Sequence, residues 1–191
     1  MKIIDCQALL TGTLSGTRIP IPVDTPFHAT AALILEMARA YERDGITFLA
    51  SGDPVNALAG FYYGFGWLHF GLASGLLAGM DTAACPFTGQ SEKLPPRFRA
   101  KLEEKSHRYD RLFETARNSV VCAPEPTTVN HEFALRVLFT AGIYNNQGRR
   151  LLLPGAYEGA LACFSYGHGW LDAGVSAGMF RVTAHRDIFC I

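Results

Sequence analysis

The chain has no net charge with which to draw a partner: seventeen basic and seventeen acidic side chains cancel. No global field therefore steers it to nucleic acid or to an anionic membrane. Its five cysteines, Cys6, Cys85, Cys122, Cys163 and Cys190, include no CxxC pair. That argues against a disulfide frame or a zinc knot and predicts reduced, mostly buried thiols in a cytoplasm. His107, His131 and His185 stand apart, with no HExxH or Cys/His spacing, so no metal and no cofactor is expected. No glycine-rich phosphate loop is present either, because Gly64-Phe65-Gly66 lies inside a helical pattern. The first twelve residues carry Asp5 within a short apolar run and lack the hydrophobic core of a signal peptide.

What the chain does have is a repeat. The stretch from Gly52 through NALAGFYYGFGWLHFGLASGLL recurs 103 positions later from Gly155 as EGALACFSYGHGWLDAGVSAGMF. Ala57, Leu58, Ala59, Phe61, Tyr63, Gly64, Gly66, Trp67, Leu68, Gly71 and Gly75 match Ala160, Leu161, Ala162, Phe164, Tyr166, Gly167, Gly169, Trp170, Leu171, Gly174 and Gly178. Both tryptophans of the chain belong to the repeat, which marks a duplicated supersecondary unit. With 49% apolar residues in 191, the chain can fill a sizeable core as one compact unit.

The periodicity predicts an all-α fold of about five long helices. Thr25-Pro26 and Asp53-Pro54 each read as a cap followed by proline at the first helical position. They open helices to about Ala50 and to Leu77 or Gly79. Residues 86–96 read as a turn-rich linker. A charged amphipathic helix follows, with Phe98, Leu102, Tyr109, Leu112, Phe113 and Ala116 on its apolar side. A fourth helix is expected from about Asn130 to Leu152 and a fifth from Gly155 to near Phe180. Residues 1–24 read as extended or irregular, and residues 183–191 as a short strand or packed tail.

On a helical wheel Gly60, Gly64, Gly71 and Gly75 fall within an arc of about 60°. Each glycine inside a helix costs about 1 kcal/mol relative to alanine, so close approach of a neighbouring helix must offset the loss. Gly64, Trp67, Gly71, Gly167, Trp170 and Gly174 are accordingly assigned to helix packing, with both tryptophans in the core. The opposite faces differ between copies. Ser165, His168, Asp172 and Ser176 make a polar, solvated stripe on the fifth helix. Their counterparts Tyr62, Phe65, His69 and Ala73 make the second helix apolar all round, hence the central one. No Asp, Glu, Lys or Arg occurs between Asp53 and Asp81, a length sufficient for a span of about 20 residues. Glu158, His168 and Asp172 in the second copy argue against one.

Tyr144, Gly155, Ala160-Leu161-Ala162, Tyr166, Gly169-Trp170-Leu171-Asp172-Ala173-Gly174 and Gly178-Met179-Phe180-Arg181-Val182 resemble the archaeal domain-of-unknown-function family 357. The resemblance covers residues 95–182, where it implies a three-helix bundle and an archaeal, cytoplasmic source. Residues 25–80 resemble a second, partial copy that keeps Tyr41, Gly52-Asp53 and Trp67-Leu68, has His69-Phe70 in place of Asp172-Ala173, and has no clear leading helix. The family brings no activity.

His168 and Asp172 are spaced so that they can touch on one helical face, which would suit a general base and its orienting carboxylate. No nucleophile accompanies them, and a surface ion pair or helix-to-helix hydrogen bond is the simpler reading. Hence no catalytic residue is assigned, and Ser165, His168, Asp172 and Ser176 stand as a candidate polar site. His69 reads as a satisfied core histidine. Arg97, Arg99, Lys101, Lys105, Arg108 and Arg111 are interleaved with acids and read as a solvated face.

Two functions compete. An interaction or scaffold module, with an unknown protein or a second copy as partner, fits the small and aromatic residues of GDPVNALAGFYYG, similar to tetratricopeptide hairpins, although the repeat length does not fit an array. An exposed apolar face would favour it. The alternative is a nucleotide- or RNA-binding helical domain, reminiscent of the higher eukaryote and prokaryote nucleotide-binding domains, whose RNA-cleaving arginine–histidine pair this chain lacks. A membrane-associated role is the lesser alternative.

Overall fold

Proline, aspartate and glycine set the helix ends. Pro26 and Pro54 occupy first-turn positions, where a missing N–H is not needed. The Asp53 side chain accepts the Asn56 backbone N–H at 3.2 Å, and that of Thr128 accepts the His131 N–H at 3.2 Å. A computed structural model describes residues 2–79, 87 and 92–190, and the linker expected over residues 86–96 lies in part outside them. Its helices are α1 (Ile3–Ser15), α2 (Pro26–Ala50), α3 (Pro54–Ala73), α4 (Arg99–Asn118), α5 (Val129–Leu152) and α6 (Tyr157–Ser176). Two short strands, β1 (Val120–Cys122) and β2 (Phe180–Val182), pair antiparallel. The architecture is an all-α bundle with one small ribbon.

The helices predicted from Thr25, Asp53, Asn130 and Gly155 begin where the sequence places them, but α3 and α6 stop earlier than expected. Gly75 and Gly178, at φ 76° and 75°, turn the chain into the left-handed region that glycine alone enters freely. Residues 1–24 also differ from expectation, since α1 occupies Ile3–Ser15. Ile3, Cys6, Leu10 and Leu14 face the core, at a spacing that Gly12 and several threonines blur in the sequence.

The repeat is larger than the hairpin. α1 stands to α2 and α3 as α4 stands to α5 and α6. A Cβ on Gly64 would meet Leu10 of α1, and one on Gly167 would meet Phe113 of α4, and these two partners keep the same 103-residue offset. The β1–β2 pair Val121 and Arg181 likewise has a counterpart in the bridge Arg18–Ala78. α1 is the shorter leading helix, 13 residues against 20, so the first copy remains the lesser one.

Within each half a glycine arc receives the preceding helix. A Cβ on Gly64 would stand 3.2 Å from the Ala38 carbonyl of α2, and one on Gly60 3.3 Å from that of Tyr41. Gly71 is covered by Leu77 and Ile34, and Gly174 by Phe180 and Val137. The two halves meet through other glycines. Gly66 of α3 lies on the Tyr166 carbonyl and Gly169 of α6, while a Cβ on Gly169 would stand 2.5 Å from the Tyr63 carbonyl. α3 and α6 thus cross as equals about a pseudo-two-fold axis, and both are central. The expectation that only the earlier of the pair is buried on all sides is corrected: α6 is enclosed by α3, α4 and α5. Among the described residues no helix is long and apolar enough to cross a membrane.

Gly169→Ala should destabilise the protein by about 1–3 kcal/mol, because two backbones cannot both recede. Gly12→Ala, inside α1 with no atom within 4 Å of the new methyl, should stabilise it by up to about 1 kcal/mol. Urea unfolding checks both, and equal midpoints for the Gly169 variant and the parent would rule out the seam contact. Trp170→Ala, removing a side chain in a residue only 8% exposed, should cost about 3–5 kcal/mol in the same assay.

Candidate functional site

The close α3–α6 crossing brings residues of one half against the other in mirrored pairs. Tyr63 of α3 reaches Asp172 of α6, and Tyr166 of α6 reaches His69 of α3. The pairs occupy equivalent positions, but their chemistry differs.

On the Asp172 side, the Tyr63 hydroxyl donates to Asp172 Oδ2, which also accepts the Cys190 backbone N–H at 3.4 Å. The Cys190 Sγ lies 3.2 Å from the Tyr41 hydroxyl and 3.7 Å from that of Tyr63. The Tyr41 and Tyr63 rings pack at 4.4 Å between centroids. His168 stands edge-on to Tyr63 at 5.6 Å and stacks on Phe113 at 5.8 Å. The expected solvated stripe is therefore corrected. Ser165, His168 and Asp172 are 0%, 3% and 1% exposed, and Ser176 is half-buried. The physical reason is that α4 and α3 cover the face that periodicity left open.

Burial pushes the Asp172 carboxyl up to about 7, partly offset by its bonds from Cys190. Burial alone holds His168 down to about 4, so the ring is neutral at pH 7. No hydrogen bond joins His168 to Asp172, and the histidine–carboxylate dyad that their spacing allows does not form. Ser165 Oγ, His168 Nε2, Asp172 Oδ1 and Ser176 Oγ have no hydrogen-bond partner among the described residues. Burial also raises the Cys190 thiol, reinforced by the Asp172 charge.

On the other side His69 Nδ1 lies 2.8 Å from the Tyr166 hydroxyl, and burial lowers the imidazole to about 4. Its surroundings are aromatic: Phe65, Tyr62, Tyr144, Tyr166 and Phe87. The face formed by Tyr62, Phe65 and His69 is thus covered within the chain.

Trp67 is fully buried and Trp170 nearly so, the latter edge-on to Phe70 at 5.9 Å. The basic run leading into and along α4 is exposed except for Lys105, which corrects its reading as wholly solvated. Lys105 is buried, donates to Asn56 Oδ1 and lies 5.1 Å over the Tyr109 ring. Burial lowers its amine to about 8, and the Arg108 charge adds to the effect. With the Lys101–Asp53 ion pair at 2.6 Å, it ties α4 to the start of α3. Among the described residues no three His, Cys, Asp or Glu side chains gather as a metal site requires. Surface clefts of about 460 and 330 Å³ lie beside Leu94 and Pro95, away from Asp172.

Sequence reasoning missed Tyr63, Tyr41 and Cys190 as partners of Asp172. The matched pairs Tyr63/Tyr166 and Gly66/Gly169 were the available signal, because paired glycines off the main arc mark a second helix contact. A family model described as Protein of unknown function (DUF357) matches residues 7–77 and 108–180, and the chain belongs to that family, in two copies. No curated protein and no solved structure matches the chain.

The buried acid gives a pH signature. Asp172 ionises near 7 in the fold against an ordinary 3.8, so the unfolded chain loses this proton first. Stability present below pH about 4 is lost as pH rises to about 7 and then levels. His168 and His69, at about 4 against 6.5, act oppositely and lose stability as pH falls from 6.5 to about 4. Asp172→Asn removes only the first effect, so its melting temperature relative to the parent should climb between pH 4 and pH 8. A constant difference would mean that the carboxyl titrates normally in the fold.

Proposed function

We propose that this member of the DUF357 family is a helical interaction module that assembles with a second copy of itself through the outer face of α5. The observation that carries this reading is one apolar stripe. Leu135, Phe139 and Ile143, spaced i, i+4 and i+8, are 50%, 70% and 48% exposed. At the equivalent positions of α2 stand Ala32, Glu36 and Ala40, so the stripe is present in one copy only. The exposed apolar residues of α2, Phe27, Leu33, Ile46 and Phe48, are spread around their helix.

The charges at the ends of the stripe favour a self-complementary partner. Glu132 lies in the first turn of α5 and Arg150 in the last, both on exposed residues. Antiparallel pairing about a two-fold axis at Phe139 sets Leu135 of one copy against Ile143 of the other. It also places Glu132 within a helical turn of the second copy's Arg150. An isologous contact of this kind closes as a dimer. A single helix face buries less than the roughly 1,200 Å² of a standard interface, so the association is concentration-dependent.

Sedimentation velocity tests the reading. The native chain should shift from monomer to dimer as concentration rises, and Phe139→Glu should stay monomeric with unchanged helicity and melting temperature. Glu132→Arg should weaken the dimer and the added Arg150→Glu restore it. A native chain that remains monomeric throughout, or a dimer indifferent to Phe139→Glu, would overturn it.

A further inference from the structure

The pseudo-two-fold axis supplies an internal comparison between two pockets of one descent. In the first, the Phe87 ring is seated among Tyr62 at 5.0 Å, Tyr144 at 4.9 Å and Tyr166 at 5.3 Å between centroids. Shifted by the repeat length, Phe87 becomes Cys190, Tyr144 and Tyr166 become Tyr41 and Tyr63, and Tyr62 becomes Ser165. Cys190 does occupy the matching place, its Sγ between the Tyr41 and Tyr63 hydroxyls. A thiol thus stands where the twin pocket holds a six-membered ring.

The lining has changed in step. Phe65 and His69 of the first pocket are His168 and Asp172 in the second. Three side chains of this half, all more than nine-tenths buried, keep a polar atom without a hydrogen-bond partner among the described residues: Ser165 Oγ, His168 Nε2 and Asp172 Oδ1. Buried polar groups are ordinarily paired. In the first pocket the corresponding positions are two aromatic side chains and a histidine already bonded to Tyr166. Cys190 itself is exposed, so the residue that fills the place of Phe87 lies at the surface.

We propose that the Tyr41–Tyr63–Asp172 pocket binds a planar heteroaromatic ring bearing N–H donors, of the purine-base type, in the place that Phe87 fills in its twin. The tyrosine rings supply a stacking surface that any such ring can use. Asp172 Oδ1 accepts a ring N–H or exocyclic amine, while Ser165 Oγ and neutral His168 Nε2 meet the remaining edge. The Cys190 side chain turns outward to admit the ring, releasing a weak thiol contact. The site is separate from the α5 stripe and stands independently of the dimer.

The test is calorimetric titration of the full chain with guanosine, adenosine and uridine, and with a short single-stranded RNA, paired with NMR shifts of the Cys190 amide and the His168 ring. A purine nucleoside should bind and shift both signals. Cys190→Phe, which fills the pocket from within, should abolish binding while leaving the melting temperature unchanged or higher. Asp172→Asn should weaken binding by roughly tenfold, because an amide oxygen accepts a hydrogen bond less strongly than a carboxylate. Should Cys190→Phe fail to fold, Asp172→Asn alone carries the test. If the RNA binds more tightly than the nucleoside and competes with it, the base comes from nucleic acid; if it binds no better, the ligand is the free nucleoside. Absence of binding by every probe at millimolar concentration, or binding that neither substitution alters, would overturn the proposal.

Discussion

The structure depends on two glycines from different halves of the chain lying against each other's backbone. A side chain on Gly169 would press on the Tyr63 carbonyl, and one on Gly66 on that of Tyr166. Each glycine weakens its own helix by about 1 kcal/mol, and burial of the faces of α3 and α6 that the crossing permits outweighs the loss. Everything near the axis inherits its symmetry. Tyr63 must meet position 172 and Tyr166 must meet position 69, so one exchange at these positions determines the polarity of a whole pocket.

The two halves have used that freedom differently. In one pocket histidine, tyrosine and phenylalanine pack as an aromatic cluster closed by Phe87. In the other an aspartic acid sits deep in the core, with tyrosine and a backbone N–H as donors and a neutral histidine nearby. Burying a carboxyl costs stability unless it is fully hydrogen-bonded, and Oδ1 of this one has no partner among the described residues. An apolar core would be cheaper at that site, which makes the polar pocket the better place to look for selected chemistry.

Divergence also reached the outside of the bundle. α2 and α5 use the same inner residues to meet their partners: Gly45 receives the Phe61 ring and Gly148 receives Phe164. Their outer faces share no such constraint. Glu36 on one and Phe139 on the other leave the fold unchanged and alter only what the surface can adhere to.

The helix starts were legible in the sequence because their signals are local, and the duplication because the two copies match residue by residue. Proline after Thr25 or Asp53, the glycine stops, and a period of 3.6 act within a few residues of themselves. The leading helix α1 was not legible, since Gly12 and the threonines around it blur its apolar spacing. Nor was the burial of Ser165, His168 and Asp172. Periodicity identifies residues that share a face of α6, yet what lies against that face is set by α4, by α3 from the other half, and by Cys190 from the tail. Sequence alone thus determined the long helices from α2 onward and that the hairpin comes twice. Only tertiary structure decided that Gly66 and Gly169 join the halves, and that the polar stripe of α6 lies in the core, because both depend on contacts with other elements that no local pattern encodes.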